Sequence, residues 1–199
     1  MKSIVPTSIV SRLSLGAMCA LSAAGCGGDM LRTGRSPVFL VVTAVAASNG
    51  DNANNYTSFL LSDVRKDDGT VWNDNARVSL RVDAKNQSVT TTPLNAVTLT
   101  RYHVEFKRTD GRNVGGVDVP HGFDGTLTQT INAGGTGDAI FELVRHQAKR
   151  ESPLTNMVTG GGLKNLDVIG EITIYGRDQN GNELMTTANI EIHFADFAG

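Results

Sequence analysis

Beyond Ser36 the order of apolar and polar positions is that of strands. Arg77 to Ala84 alternates cleanly: Val78, Leu80 and Val82 fall on one side, Arg77, Ser79, Arg81 and Asp83 on the other. That is the two-residue period of an extended chain with one face in a core. Val38 to Ala47, opened by Pro37, is an apolar run rich in β-branched residues, with the length of one buried strand. Tyr56 to Val64 is a shorter candidate. Val97 to Arg108 changes phase part-way, since Val97 and Leu99 share one parity and Tyr102, Val104 and Phe106 the other. A slip of one residue would turn every later apolar side chain outward, so the pattern predicts a β-bulge near Arg101. Leu127 to Ile131 is short and polar at alternate positions. Ala139 to His146 is apolar on both parities at Ile140, Phe141, Leu143 and Val144, and reads as a central strand.

The last two strands, Val168 to Tyr175 and Met185 to Phe194, flank Gly176-Arg177-Asp178-Gln179-Asn180-Gly181-Asn182. Asn-Gly is the favoured central pair of a type I′ turn, so an antiparallel hairpin is expected. In its second strand Ala188, Ile190, Ile192 and Phe194 point one way and Thr187, Asn189, Glu191 and His193 the other. One stretch reads as helical. Ser152-Pro153 suits an N-cap followed by the first helical position, and Gly160-Gly161-Gly162 closes a single turn. Seven or eight strands joined by Gly-, Asn- and Asp-rich turns are best satisfied by two packed antiparallel sheets. The expected fold class is therefore an all-β, two-sheet sandwich with long loops and one short helical turn.

The segment YGRDQNGNELMTTANIEIHFAD, residues 175–196, is similar to the closing hairpin of bacterial immunoglobulin-like domains, where a Tyr-Gly, an Asp and a Gly-Asn punctuate the final strands. The resemblance covers about 30 residues and implies an immunoglobulin-like body over residues 37–199. Such modules run to about 100 residues. Loops inserted at 49–56, 66–76 and 109–122 account for the excess. No second copy of the hairpin occurs, so one elaborated domain is expected rather than a tandem array.

Composition narrows the class. The chain has 199 residues, 40% of them apolar and 19% charged, with a net charge of −2. That is too apolar and too weakly charged for disorder throughout. It also gives no electrostatic case for nucleic acid. Lys2 and Arg12 precede an apolar stretch, Leu13 to Ala24, that ends in Ala23-Ala24-Gly25-Cys26. A dozen apolar residues is too short for a permanent span and suits an export signal. Small residues directly before a cysteine resemble the lipobox of bacterial lipoproteins, although Ala23 stands where that family usually has Leu. The resemblance implies residues 1–25 as signal peptide, Cys26 as the lipid-bearing residue with palmitate, and residues 26–36 as a flexible tether. Gly27-Gly28 in place of an Asp after the cysteine implies the outer membrane of the cell envelope. An ordinary secretory signal cut near Ala24 is the alternative. Cleavage before Cys26 leaves 174 residues, removes Cys19 and takes the net charge to −4.

Chemistry-bearing motifs are absent from the sequence: no HExxH, phosphate loop, dinucleotide fingerprint or nucleophile elbow occurs. His103 and His193 fall on the polar phase of their strands. With its sole mature thiol assigned to lipid, the chain reads as non-enzymatic, with the membrane and an envelope protein as its partners and no cofactor. Calcium is the one metal with candidate ligands. Asp178, Asn180 and Asn182 start like an EF-hand loop, but Glu183 stands where the bend needs Gly. Asn49-Gly50-Asp51-Asn52, Asp67-Asp68-Gly69 and Asp74 offer further oxygens, and all of these residues also suit plain turns. Trp72, in a polar setting, is a candidate anchor for sugar or protein, or a plug for the end of the sandwich. Arg145, His146, Lys149 and Arg150 read as a solvated basic patch. Two functions follow: a lipid-anchored structural or protein-binding module, or a surface lipoprotein that binds calcium or carbohydrate through its loops.

Overall fold

A computed structural model describes residues 34–88, 90–158 and 162–197. Among these the chain forms eight strands: β1 (Val38–Ser48), β2 (Phe59–Asp63), β3 (Asp74–Ala84), β4 (Val97–Lys107), β5 (Phe123–Ile131), β6 (Thr136–Val144), β7 (Asn165–Asp178) and β8 (Glu183–Ala195). Two short helices, α1 (His146–Lys149) and α2 (Thr155–Val158), lie between β6 and β7. The strands make two sheets, ordered β1-β3-β6 and β2-β8-β7-β4-β5, and the larger one curls into a half-barrel. The chain crosses between sheets five times, from β1 to β2, β2 to β3, β3 to β4, β5 to β6 and β6 to β7. At the first crossing Ala47 and Thr57 exchange two backbone hydrogen bonds of 2.8 Å.

The alternation in the sequence survives as burial. Val78, Leu80 and Val82 are sealed in the core, as are Ile190, Ile192 and Phe194 from the opposite sheet. Phe106 meets Phe194 edge to face at 6.2 Å, and Tyr102 lies 4.2 Å from Phe141 across the sheets. Each such side chain withdrawn from water stabilises the fold by about 1.5–3 kcal/mol. The bulge near Arg101 is present, because β4 shifts register between Leu99 and Arg101 against both neighbours. That shift lets Leu99 and Tyr102 share the core despite their spacing.

Four expectations are corrected. β6 is an edge strand of its sheet and Ile140 is 54% exposed, because β6 pairs only with β3 and its other neighbour in sequence belongs to the second sheet. The β7–β8 hairpin forms, but its turn is not type I′. Gly181 has φ +82°, no non-glycine residue among the described residues has positive φ, and the Gly181 N–H donates to the Asp178 carbonyl. A four-residue turn closed by one left-handed glycine is the observed geometry. β2 pairs parallel to β8, so the sheets are not wholly antiparallel. Those strands lie far apart in sequence, and no short turn dictates their sense. The helical turn begins at Thr155 rather than Pro153.

Strand direction divides the connections between two ends of the body. The chain enters at one end of the body, and that end holds only residues 85–96, 132–135 and 179–182 as connections. The other end gathers 49–58, 64–73, 108–122 and the stretch from Arg145 to Lys164. We call these the entry pole and the loop pole. Leu154 is fully buried beneath the loop pole and closes the core there.

Candidate functional site

The loop pole is organised around a buried ion pair. β6 ends at Val144, which lies opposite Asp74 at the start of β3. The chain then turns into α1, which brings Lys149 back over Asp74. The Asn73 side chain holds that turn, since its Oδ1 accepts the His146 N–H at 2.6 Å and its Nδ2 donates to Glu142 at 2.7 Å. Asp74 is 0% exposed and Lys149 3%. Lys149 Nζ lies 3.0 Å from Asp74 Oδ1 and 2.8 Å from Oδ2. Oδ1 also accepts the Gly50 N–H at 3.0 Å, and Oδ2 accepts the Ser62 hydroxyl at 2.6 Å. Burial pushes the Asp74 carboxyl above the ordinary range, opposed by the Lys149 ammonium and by the Ser62 and Gly50 donors. Four chain segments therefore converge on one carboxylate. Lys149 does not belong to a solvated basic patch, as its sequence neighbours suggested. A four-residue helix has no periodicity from which its burial could be read.

Trp72 stands beside this node, 49% exposed. A side chain on Gly50 would collide with the Trp72 Cβ and the Asn73 carbonyl, so the backbone of the 49–58 loop rests directly on the 64–73 loop. A cleft of about 10 Å³ next to the indole is bordered by Asn49, Asp51, Asp63, Lys66 and Thr70, with Asp51 and Lys66 paired across it. The acidic residues of these loops thus face ammonium groups of Lys66 and Lys149. The 108–122 loop is fixed from within. Arg108 and Arg112 both bond Asp110, and the arginine contacts hold its carboxyl well below the ordinary range. Val114 and Val117 are exposed at that loop's tip. The loop pole therefore presents Trp72, Val114 and Val117 on braced connections, which loses less conformational freedom on binding than mobile loops would.

Asp178 lies at the entry pole. Its Oδ1 accepts the N–H groups of Asn180 at 3.0 Å and Asn182 at 2.9 Å, and its Oδ2 accepts the Asn182 amide at 2.9 Å. Ser36, the last residue of the expected tether, is buried and also bonds Asp178. The carboxylate that begins the calcium-like series is thus the cap of its own turn. Among the described residues no cluster of three or more His, Asp or Glu is placed to hold a metal. His103 sits between Asp124 and Glu105, His193 between Asp167 and Glu191, and His146 against Asn73. Cys26 lies outside the described residues. Among the described residues no helix is long and apolar enough to cross a membrane. No protein-family model matches the chain, and no curated protein is similar to it in sequence.

Proposed function

We propose that this chain is a non-enzymatic, lipid-anchored protein of the cell envelope, whose immunoglobulin-like body acts by contact as a structural or protein-binding module. One observation carries the reading: the chain enters the body at the pole opposite its two longest connections, 108–122 and 145–164. A lipid on Cys26, at the end of a tether through residue 36, would hold the entry pole toward an outer-membrane leaflet. Trp72, Val114 and Val117 would then face a partner. The test has two arms. Palmitate label should enter the wild type and vanish from Cys26→Ser. A photo-crosslinking residue at position 72 or 117 should capture one envelope protein, whereas one at Leu94, exposed on the entry pole, should not. Undiminished label in Cys26→Ser overturns the anchor. Equal capture from both poles overturns the orientation.

A second reading, carbohydrate recognition, is favoured by the half-exposed indole of Trp72 beside the cleft bordered by Asp51, Asp63 and Thr70. Trp72 is the sole tryptophan, so its fluorescence reports on that site directly. A shift on adding soluble envelope glycan supports this reading; an unchanged spectrum removes it.

A further inference from the structure

The outer face of the five-stranded sheet leaves apolar side chains in water. On it Phe59 and Leu61 of β2 and Ile169 of β7 are exposed. The register places them together: Phe59 is opposite Glu191, which is opposite Ile169, while Leu61 is opposite His193, which is opposite Asp167. Phe59 meets the His193 ring edge-on at 6.0 Å. Next to them is a hollow of about 420 Å³, bounded by Thr109, Asp167, Ile169, Asn189 and Glu191.

Charge selects what this surface fits. From Gly34 onward, 15 Lys and Arg face 19 Asp and Glu, a net of −4. The cations that point outward from this sheet are Arg101, Lys107 and Arg177. Each is matched on the spot, by Asp124 at 3.5 Å, Glu171 at 2.8 Å and Glu183 at 2.8 Å respectively. Four further outward carboxylates, Asp63, Glu105, Asp167 and Glu191, are matched by no Lys or Arg projecting from that face, although Asp63 lies near Lys66 and Asp167 near Arg108 at its loop-pole edge. The outer face of this sheet thus carries seven carboxylates against three Lys and Arg. Three of the four carboxylates share the apolar neighbourhood of Phe59, Leu61 and Ile169. Asp167 and Glu191 flank the same imidazole, at 2.8 Å and 3.4 Å from His193.

We infer that this face docks a protein segment bearing lysine or arginine. The cationic heads lie against Asp167 and Glu191, and the alkyl stems lie on Ile169 and Phe59. Long basic side chains carry both an apolar stem and a charged head, so the mixture of exposed apolar and acidic groups matches them better than it matches a purely apolar or purely ionic ligand. Opposite potentials also raise the rate of encounter. The inference deepens the protein-binding reading by giving one partner chemistry, and it does not depend on Cys26.

The probe is an alternating lysine–leucine octapeptide, with the glutamate–leucine octapeptide as counterpart, titrated calorimetrically into the full processed chain. The lysine peptide should bind and the glutamate peptide should not. Asp167→Lys with Glu191→Lys should weaken binding about tenfold or more, and Asp167→Asn with Glu191→Gln about threefold. Asp83→Lys with Asp138→Lys makes the same change in net charge on the other sheet, and should alter binding less than about twofold. Equal weakening by both reversals overturns the inference, because net charge alone would then suffice. So does the absence of binding, or a concentration-dependent dimer that Asp167→Lys abolishes, which would assign the face to a second copy. Palmitate labelling is silent on all of these, so failure here and failure of the anchor are separate results.

Discussion

Two aspartates sit out of water at opposite poles of the same body, and their carboxyls are displaced in opposite directions. At the loop pole, Asp74 is raised, because removal from water outweighs Lys149, Ser62 and Gly50. At the entry pole, burial also pushes Asp178 upward. There the side chain and N–H of Asn182, the Ser36 hydroxyl and the Asn180 N–H together outweigh it, and the carboxyl ends below its ordinary 3.8. Short-range N–H donors come from the turn the carboxylate itself caps, so they arrive with the backbone. A buried ammonium must be brought from 75 residues away and desolvated as well. Asp178 is thus held chiefly by the turn it caps, with Ser36 added from the chain's entry, and Asp74 by a long-range pair. That difference predicts which end fails first.

The largest effect should come from Lys149→Met. It leaves Asp74 buried without its cation, and a loss of about 3–5 kcal/mol in a urea titration is expected. Adding Asp74→Leu should recover only part of that loss, since it removes the unmatched charge but leaves the Gly50 N–H and the Ser62 hydroxyl without their acceptor. A single variant that loses under about 1 kcal/mol would mean that the pair does not hold the pole together. At the other end Asp178→Ala removes acceptors from three donors of one turn, and a loss of about 1–3 kcal/mol is expected. Amide exchange should rise at 180–182 and stay unchanged around Gly50. Gly181→Ala tests the same turn through its backbone. At φ +82° a Cβ is strained, and about 1–2 kcal/mol should be lost although no atom lies in the way.

The two carboxyls also predict opposite pH slopes. The depressed Asp178 binds fewer protons folded than unfolded, so its contribution is full above 3.8 and is lost as pH falls through its lower folded value. The raised Asp74 binds more protons folded. Its contribution is full below the ordinary range and declines as pH rises through the folded value. Melting curves from about pH 2 to about pH 6 should therefore lose acid sensitivity in Asp178→Asn and gain it in Asp74→Asn. Parallel changes in the two variants would contradict the comparison.

The two poles were unequally readable. Val78, Leu80 and Val82, and the phase change around Arg101, are legible because side-chain direction along a strand is a local property. The position of β6 at an edge is not, since the number of neighbours a strand acquires is decided by the sheet and not by its own residues. Asp178 could be read as a turn residue from Asn180 and Gly181 alone, although its closure by Gly181 rather than type I′ geometry could not. Asp74 and Lys149 look like a loop acid and a surface base. Only β6, turning into α1 opposite β3, makes them a pair. The acidic face of the larger sheet sits between these cases. Each outward residue follows from alternation, but the row that sets Phe59, Glu191 and Ile169 side by side depends on a parallel pairing that no short turn announces.

The smallest expected effect on stability is the most informative about the loop pole. Trp72 is anchored at its Cβ by the backbone of Gly50, while half of its surface lies in water. A residue retained as a plug should resist truncation, because removing a buried indole costs about 3–5 kcal/mol. Trp72→Ala keeps the Cβ that packs on Gly50 and leaves the Asp74–Lys149 pair untouched. Its unfolding free energy from a urea titration should therefore change by no more than about 0.5 kcal/mol. A shift of several kcal/mol would return Trp72 to the core and remove it from any contact surface. A near-zero shift, joined to loss of crosslinking from position 117, would place the indole at the centre of what the braced loops hold.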